Sequence, residues 1–110
     1  MGLIPEFFPH LTGFEWDDGN SDKNWVRHRV TRAEAEQVFL NRPLLVAVSS
    51  GRSQLEVRYF ALGRTDVGRR LAIAFAVRGT LLRPISARPM SRRERRSYAK
   101  VEVTQADPTF

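Results

Sequence analysis

The chain has 110 residues, of which 42 % are apolar and 27 % charged, and it contains no cysteine. This composition is typical of one folded domain, and it excludes a disordered chain, a disulfide framework and a thiolate metal site. No apolar run approaches the roughly 20 residues that span a bilayer, so we expect no membrane partner.

Positive charge is concentrated in the second half of the chain. Residues 1–50 hold seven acids and five bases (net −2), whereas residues 51–110 hold five acids and thirteen bases (net +8). Only Lys23 and Lys100 are lysines, and an arginine fork holds a phosphate through two hydrogen bonds. The pattern favours a nucleic-acid ligand; the alternative is that the arginines only keep a small protein soluble.

The first elements in chain order are an arm, a strand and two helices. Residues 1–12 form an arm that either packs on the body or frays, and they lack the basic segment of a secretory signal, so we expect a cytoplasmic protein. Residues 13–17 predict a short strand that enters a helix extending to about residue 28. Thr31 and Glu34 then have the spacing of a capping box, followed by an apolar helical stripe: Ala35, Val38 and Phe39.

Four strand-like runs follow, over residues 44–49, 56–62, 70–77 and 81–88. In the third run, bulky residues alternate with alanines, so that one face supplies a core and the other leaves room for a helix to lie close. Pro84 has no amide donor, so the last strand must be an edge at that point or carry a bulge.

A second capping box, Ser91 and Glu94, opens a last helix that extends to about residue 103. We therefore expect a single α+β domain over residues 13–104, with a tail at 105–110. The predicted architecture has two layers: an antiparallel meander of about four strands, with two N-terminal helices and one C-terminal helix on one side.

In order and spacing, these segments resemble the BrnT toxins over about residues 13–100. The resemblance is carried by Phe14-Glu15-Trp16-Asp17, Lys23, Asn24, Arg27-His28, Thr31–Phe39, Glu56-Val-Arg58, Gly63, Gly68-Arg69, Arg78-Gly79, Ser86-Ala87-Arg88 and Arg92–Tyr98. It implies a RelE-like fold and a metal-independent endoribonuclease that arrests translation, as the toxin of a type II toxin–antitoxin pair. It also implies a BrnA-like antitoxin that binds operator DNA, with a heterotetramer among the possible assemblies.

Two departures from the family pattern bear on structure and chemistry. The family usually has glycine after the histidine of the first helix, where the chain needs a left-handed residue, and Arg29 stands there. A histidine that commonly precedes the Glu-x-Arg motif is absent, since Ser53-Gln54-Leu55 occupy that place. If that histidine acts in some members, this protein uses other groups.

RNA cleavage without a metal needs a base for the 2′-hydroxyl, cations for the charged phosphorane and an acid for the leaving 5′-oxygen. Arg58 and Arg88, on predicted strands, are the candidate transition-state cations, with Arg78 and Arg83 as RNA-binding alternatives near a turn. For each arginine, the alternative is an outward-facing residue that keeps a strand edge soluble.

His28 is the candidate proton carrier by its ordinary pKa, although a histidine in the last turn of a helix is also favoured by the helix dipole alone. Glu56 shares a strand face with Arg58, and it either acts as the base or, slightly favoured, only pairs with that arginine. Tyr98 either contacts RNA or anchors its helix to the sheet.

The last helix supplies the predicted phosphate-tracking surface, with docking of an acidic antitoxin as the alternative: Arg92, Arg93, Arg95 and Arg96. The sequence has no metal-ligand cluster, glycine-rich phosphate loop or nucleophile motif, so we predict neither a metal nor another cofactor. The predicted function is a metal-independent endoribonuclease toxin; the alternative is a non-catalytic basic module that binds nucleic acid or a protein.

Overall fold

The computed structural model describes residues 4–20, 28–49 and 57–105, with side chains up to residue 103. After a 3-10 helix (Phe8–His10), the elements are β1 (Gly13–Phe14), α1 (Arg32–Leu40), β2 (Leu45–Val48), β3 (Arg58–Arg64), β4 (Arg70–Arg78), β5 (Leu81–Pro89) and α2 (Arg92–Gln105). The strands form one sheet in the order β1-β5-β4-β3-β2.

The sheet has one strand more than the sequence predicts. The predicted antiparallel meander is present as β2 to β5, but β1 pairs with β5 in parallel and makes the sheet mixed. Most of the predicted helix at residues 17–28 lies outside the described residues, which hold two α-helices rather than three. No helix in the described ranges is long and apolar enough to cross a membrane.

The two helices lie on opposite faces of the sheet, so the prediction of a two-layer domain with helices on one side is wrong. Leu71 belongs to the core that includes the buried side of α1, whereas its neighbour Ala72 packs in a second cluster with Tyr98 of α2. Consecutive strand residues point to opposite faces. We call these the α1 face and the α2 face; the alanine face does receive a helix, as predicted.

Both predicted capping boxes are confirmed, and both fix the start of a helix. At α1, the Glu34 amide donates to Thr31 Oγ1 (3.1 Å) and the Thr31 amide donates to Glu34 Oε1 (3.0 Å). At α2, the Glu94 amide donates to Ser91 Oγ (3.1 Å) and the Ser91 amide donates to Glu94 Oε1 (2.8 Å). Each box satisfies two amides that have no partner within the helix.

Three side chains spaced four residues apart attach the polar helix α2 to the sheet. Glu94 pairs with Arg88 of β5, and Glu102 pairs with Arg70 of β4. Between them Tyr98 is fully buried, and its hydroxyl donates to the Pro43 carbonyl oxygen over 2.5 Å. Because the helix has few apolar residues, this face holds it in place.

Two local backbone predictions are also confirmed. In the β4–β5 ladder Ala74 pairs with Ser86 while Phe75 pairs with Pro84, so Ile85 is the extra residue of a bulge beside the proline. Arg29 has φ +57°, the left-handed conformation expected where the family usually has glycine. The described part of the arm, residues 4–12, packs on the body, because its side chains contact the α1-face core: Ile4, Phe8 and Leu11.

Candidate functional site

Strand register brings four predicted arginines to the α2 face. Arg58 pairs with Ala76 and Ala76 pairs with Arg83, so these three residues form one row across β3, β4 and β5. Arg78 follows Ala76 by two residues, and Arg88 pairs with another alanine of the same face. We call the set Arg58, Arg78, Arg83 and Arg88 the arginine patch.

The row has a small residue at its centre. Neighbouring strands lie about 4.8 Å apart, so the Cα atoms of Arg58 and Arg83 are separated by about 10 Å. Ala76 between them is fully buried and its methyl group leaves space for the two long side chains above it. α2 packs farther along this face, against Leu62 and Ala72. The row is therefore placed to hold one anionic group between two guanidinium groups.

Two carboxylates beyond β1 face the patch, and sequence reasoning missed both. Asp17 accepts two hydrogen bonds from Arg83, over 2.8 and 3.0 Å. Glu15 Oε1 lies 3.4 Å from Nη1 of Arg78 and 3.4 Å from Nη1 of Arg83. The available sequence signal was the alternation of these two carboxylates with Trp16. The Trp16 indole does not join them at the patch and donates a hydrogen bond to Glu36 of α1.

A third carboxylate joins the patch to α2. Arg88 donates to both oxygens of Glu94, over 2.7 and 2.9 Å. The hydrogen bond from Arg88 lowers the pKa of Glu94, and the hydrogen bonds from Arg83 and the Gly19 amide lower the pKa of Asp17. Both carboxylates are thus ionised at neutral pH and are poor proton acceptors.

Arg58 differs from the rest of the patch. It is exposed, and it makes no ion pair with any residue that the structure describes. Arg83, by contrast, has only 13 % of its side chain exposed and is held by its carboxylate partners. Among the described residues, therefore, no partner has to be displaced before the fork of Arg58 binds a phosphate.

The structure does not bring His28 to the patch. Its carbonyl oxygen accepts from Arg69 Nη2 over 3.0 Å, and Arg69 also bonds Glu34 of α1. Arg69 lies at the β3–β4 turn, seven residues before Ala76 in the row of Arg58, which corresponds to about 23 Å. His28 is thus at the other end of the sheet, and Glu56, the other predicted proton carrier, lies outside the described residues.

Tyr98 cannot contact RNA as predicted, because nothing of its ring is exposed. Burial, with a smaller contribution from Glu102, raises the pKa of its hydroxyl to about 12. The alternative drawn from the sequence, an anchor for α2, is what the geometry supports.

The predicted phosphate-tracking arginines of α2 are accessible to solvent. All four are exposed, as a phosphate-tracking surface requires: Arg92, Arg93, Arg95 and Arg96. Arg93 also lines a cavity of about 520 Å³ between α2 and the strands β2 and β3, together with Glu94. The arginine patch and α2 thus border the same side of the molecule.

Comparison with known proteins identifies the family. The sequence profile described as "Ribonuclease toxin, BrnT, of type II toxin-antitoxin system" matches residues 16–94. The crystal structure of the Brucella abortus ribonuclease toxin BrnT is similar, with a TM-score of 0.53 and 22 % identity over 73 % of this chain and 97 % of that one, which supports the fold. No curated protein matches. The chain belongs to the BrnT family of ribonuclease toxins of type II toxin–antitoxin systems.

Proposed function

We propose that this toxin cleaves RNA without a metal ion, at the arginine patch on the α2 face. The family implies RNA as the substrate and a protein antitoxin as the partner. One observation carries the assignment of the site: the register places four arginines from three adjacent strands on one face of the sheet. Strands hold such side chains more rigidly than loops do, as preorganised stabilisation of a transition state requires.

The reaction is an internal displacement at phosphorus. The 2′-oxygen forms a bond to phosphorus as it loses its proton, and the bond from phosphorus to the 5′-oxygen breaks. The products are a 2′,3′-cyclic phosphate and a 5′-hydroxyl, the latter after the leaving oxygen takes up a proton. Arg58 and Arg83, on either side of Ala76, offset the extra negative charge that develops on the non-bridging oxygens.

Glu15 is the carboxylate that we assign as the base. Its contacts to Arg78 and Arg83 are single and 3.4 Å long, whereas Asp17 and Glu94 are each held by a pair of shorter hydrogen bonds. It stands beside the row of arginines, so a 2′-hydroxyl next to the bound phosphate lies within its reach. His28 has no role in this scheme, because it lies at the opposite end of the sheet.

The test is cleavage of a single-stranded RNA by purified protein in EDTA, with the cyclic phosphate product identified. Arg58→Ala is expected to lower kcat roughly 100- to 1000-fold, the range for loss of one preorganised donor to a developing anion. Arg32→Ala is the matched control, because it removes one positive charge from α1, on the other face, and should change kcat less than threefold. Glu15→Gln should also lower kcat, because an amide cannot take up the proton of the 2′-hydroxyl.

Three results would contradict this function. Cleavage by Arg58→Ala at the wild-type rate would exclude the patch as the active site. Activity that is lost in EDTA and restored by Mg²⁺ would exclude the metal-independent reaction. RNA binding without cleavage by the wild-type protein would favour the non-catalytic module instead.

We also propose that the protein acts in the cytoplasm, where cleavage of RNA arrests translation, as a RelE-like toxin. Its antitoxin would be a DNA-binding protein of the BrnA type with an acidic surface, which covers the arginine patch and forms a heterotetramer on operator DNA. The exposed arginines of α2 support this, since they complement an acidic partner on the same side as the patch. Protection of Arg58 and Arg96 from a guanidinium-modifying reagent on adding antitoxin tests the coverage; no protection would contradict it.

A further inference from the structure

We propose that the cavity between β2, β3 and α2 is a pocket for one unpaired RNA base, which stacks on Phe60. This inference rests on the proposed function, because it assigns the part of the substrate that lies beside the phosphate held at the arginine patch. It makes single-stranded RNA the substrate class.

The cavity has the size and lining of a ligand site. Its volume is about 520 Å³, within the range of roughly 300–1,000 Å³ typical of small-molecule pockets and ample for one base. Its walls combine apolar side chains with a polar end on α2: Leu45, Phe60, Leu62, Arg93, Glu94 and Ser97. A planar apolar body with polar edges, as a nucleobase is, fits such a lining.

The sheet presents the ring of Phe60 on this face between small neighbours. In register, Phe60 pairs with Ala47 of β2 and with Ala74 of β4. Phe60 is half-buried, and Ala47 lines the cavity with it. Because methyl groups stand on either side, no larger side chain of these two strands covers the ring. The ring therefore borders the cavity beside the Arg88 guanidinium of β5, which lies over it, and a base in the cavity can contact the ring there.

The pocket and the arginine patch share a wall. Phe60 and Arg58 are two residues apart on β3 and face the same side, at a separation of about 7 Å. The guanidinium carbon of Arg88 lies 5.7 Å from the centre of the Phe60 ring, and Arg88 bonds Glu94, which lines the cavity. A nucleotide whose phosphate is held at Arg58 thus has its base beside Phe60.

The same lining indicates how a base is held and why the RNA must be unpaired. Stacking on an aromatic ring accepts any base, since every base has a flat π-face. Glu94 and Ser97 at the polar end can accept a hydrogen bond from an exocyclic amino group. A base inside a duplex exposes neither its face nor its pairing edge. Duplex RNA is therefore excluded from the pocket.

The experiment compares binding of two single-stranded oligonucleotides that carry a 2′-deoxy nucleotide at the cleavage position, so that neither is cut. One is intact, and the other lacks the base next to the scissile phosphate. Wild-type protein should bind the intact strand roughly 5- to 150-fold more tightly, the range for one stacked base. Phe60→Leu keeps an apolar side chain but removes the ring. It should bring the ratio of the two affinities, intact strand over abasic strand, close to one.

Three further variants test whether the difference in affinity comes from the pocket itself. Ser97→Leu fills the cavity from the exposed side of α2 and should also abolish the ratio, without removing any core side chain. Phe60→Tyr keeps a ring and should retain the ratio. Arg58→Ala should weaken binding of both strands equally, because it removes a phosphate contact and leaves the pocket intact.

Outcomes for the pocket and for the active site are distinguishable. A ratio that persists in both Phe60→Leu and Ser97→Leu overturns the base pocket, even if the RNA is cleaved in EDTA. A ratio that depends on Phe60 supports the pocket even if no cleavage occurs. If the ratio persists in both variants and Ser97→Leu abolishes inhibition by the antitoxin, the cavity seats the antitoxin chain and the base pocket is refuted.

Discussion

Replacing Tyr98 with Phe tests the claim that α2 is held on the sheet by a buried hydroxyl rather than by apolar packing alone. The substitution removes one oxygen, and with it the 2.5 Å hydrogen bond to the Pro43 carbonyl. That carbonyl then loses its donor in an enclosed site, since no part of the Tyr98 ring is exposed. An unsatisfied buried group costs about 1–3 kcal/mol of the free energy of unfolding.

This loss converts into a measurable shift of the melting temperature. For a chain of 110 residues the entropy of unfolding is about 0.23 kcal/mol/K, so Tyr98→Phe should lower Tm by about 4–13 °C. Tyr59→Phe is the matched control: the Tyr59 ring stacks on Phe75, and its hydroxyl makes no hydrogen bond to a described residue. It should change Tm by less than about 2 °C.

The pH dependence gives a second, independent readout. The pKa of Tyr98 is about 12 in the folded protein against an ordinary value of 10.0, so the fold favours the neutral phenol. The associated stability is complete below pH 10, and it is lost as the pH rises from 10 to 12, by about 3 kcal/mol in total. Phenylalanine cannot ionise, so the difference in stability between wild type and Tyr98→Phe should shrink over this interval.

The assay is urea unfolding followed by circular dichroism at pH 7, 10, 11 and 12 for the wild type and both variants. The other titratable groups are the same in the three proteins, so their contributions cancel when the free energies of unfolding are subtracted. A Tyr98→Phe variant as stable as wild type at pH 7, or a difference that stays constant up to pH 12, would refute the reasoning about this hydroxyl.

Three further substitutions test other parts of the structure. Gly63→Ala would place a methyl carbon 2.6 Å from Val38 Cγ1 and should cost about 1–3 kcal/mol in urea unfolding; wild-type stability would mean that α1 can shift outward. Arg29→Gly should raise the free energy of unfolding by about 1 kcal/mol, because it relieves a left-handed backbone at φ +57°, and unchanged stability would speak against strain there. Asp17→Asn should tighten RNA binding and steepen its salt dependence, because Arg83 becomes easier to transfer to a phosphate; weaker binding would show that Asp17 instead positions Arg83.

The carboxylates that pair with the arginine patch affect the order in which its arginines bind the substrate phosphate. Asp17 and Glu94 keep Arg83 and Arg88 in fixed positions before RNA arrives, so little reorganisation is needed at the strands. Arg58 alone among the patch residues has no ion-pair partner in the described ranges. We therefore expect the first phosphate contact to form at Arg58, and the contact at Arg83 to require exchange of a carboxylate for a phosphate.

Several features of this protein follow from local sequence. The two capping boxes follow from the spacing of their residues, and the edge or bulge expected at Pro84 follows from its missing amide donor. The left-handed residue at Arg29 is expected from the family resemblance, because glycine usually stands at that position. The alternation of bulky residues and alanines in β4 likewise predicts which of its faces forms the main core. The family assignment depends on motifs in order along the chain, and the comparison with known proteins agrees with it.

What only the tertiary structure decided is which distant residues meet. Sequence patterns place Arg58, Arg83 and Arg88 on strands, but strand pairing and the bulge in β5 determine that all of them share the α2 face. The parallel addition of β1 brings Glu15 and Asp17 to arginines more than 60 residues away. The alternation about Trp16 groups the two carboxylates, but it does not specify those distant partners. Amphipathic periodicity indicates which side of a helix is buried, but it does not indicate on which face of the sheet that helix packs. For that reason the helices could be located along the chain, whereas their opposite placement could not.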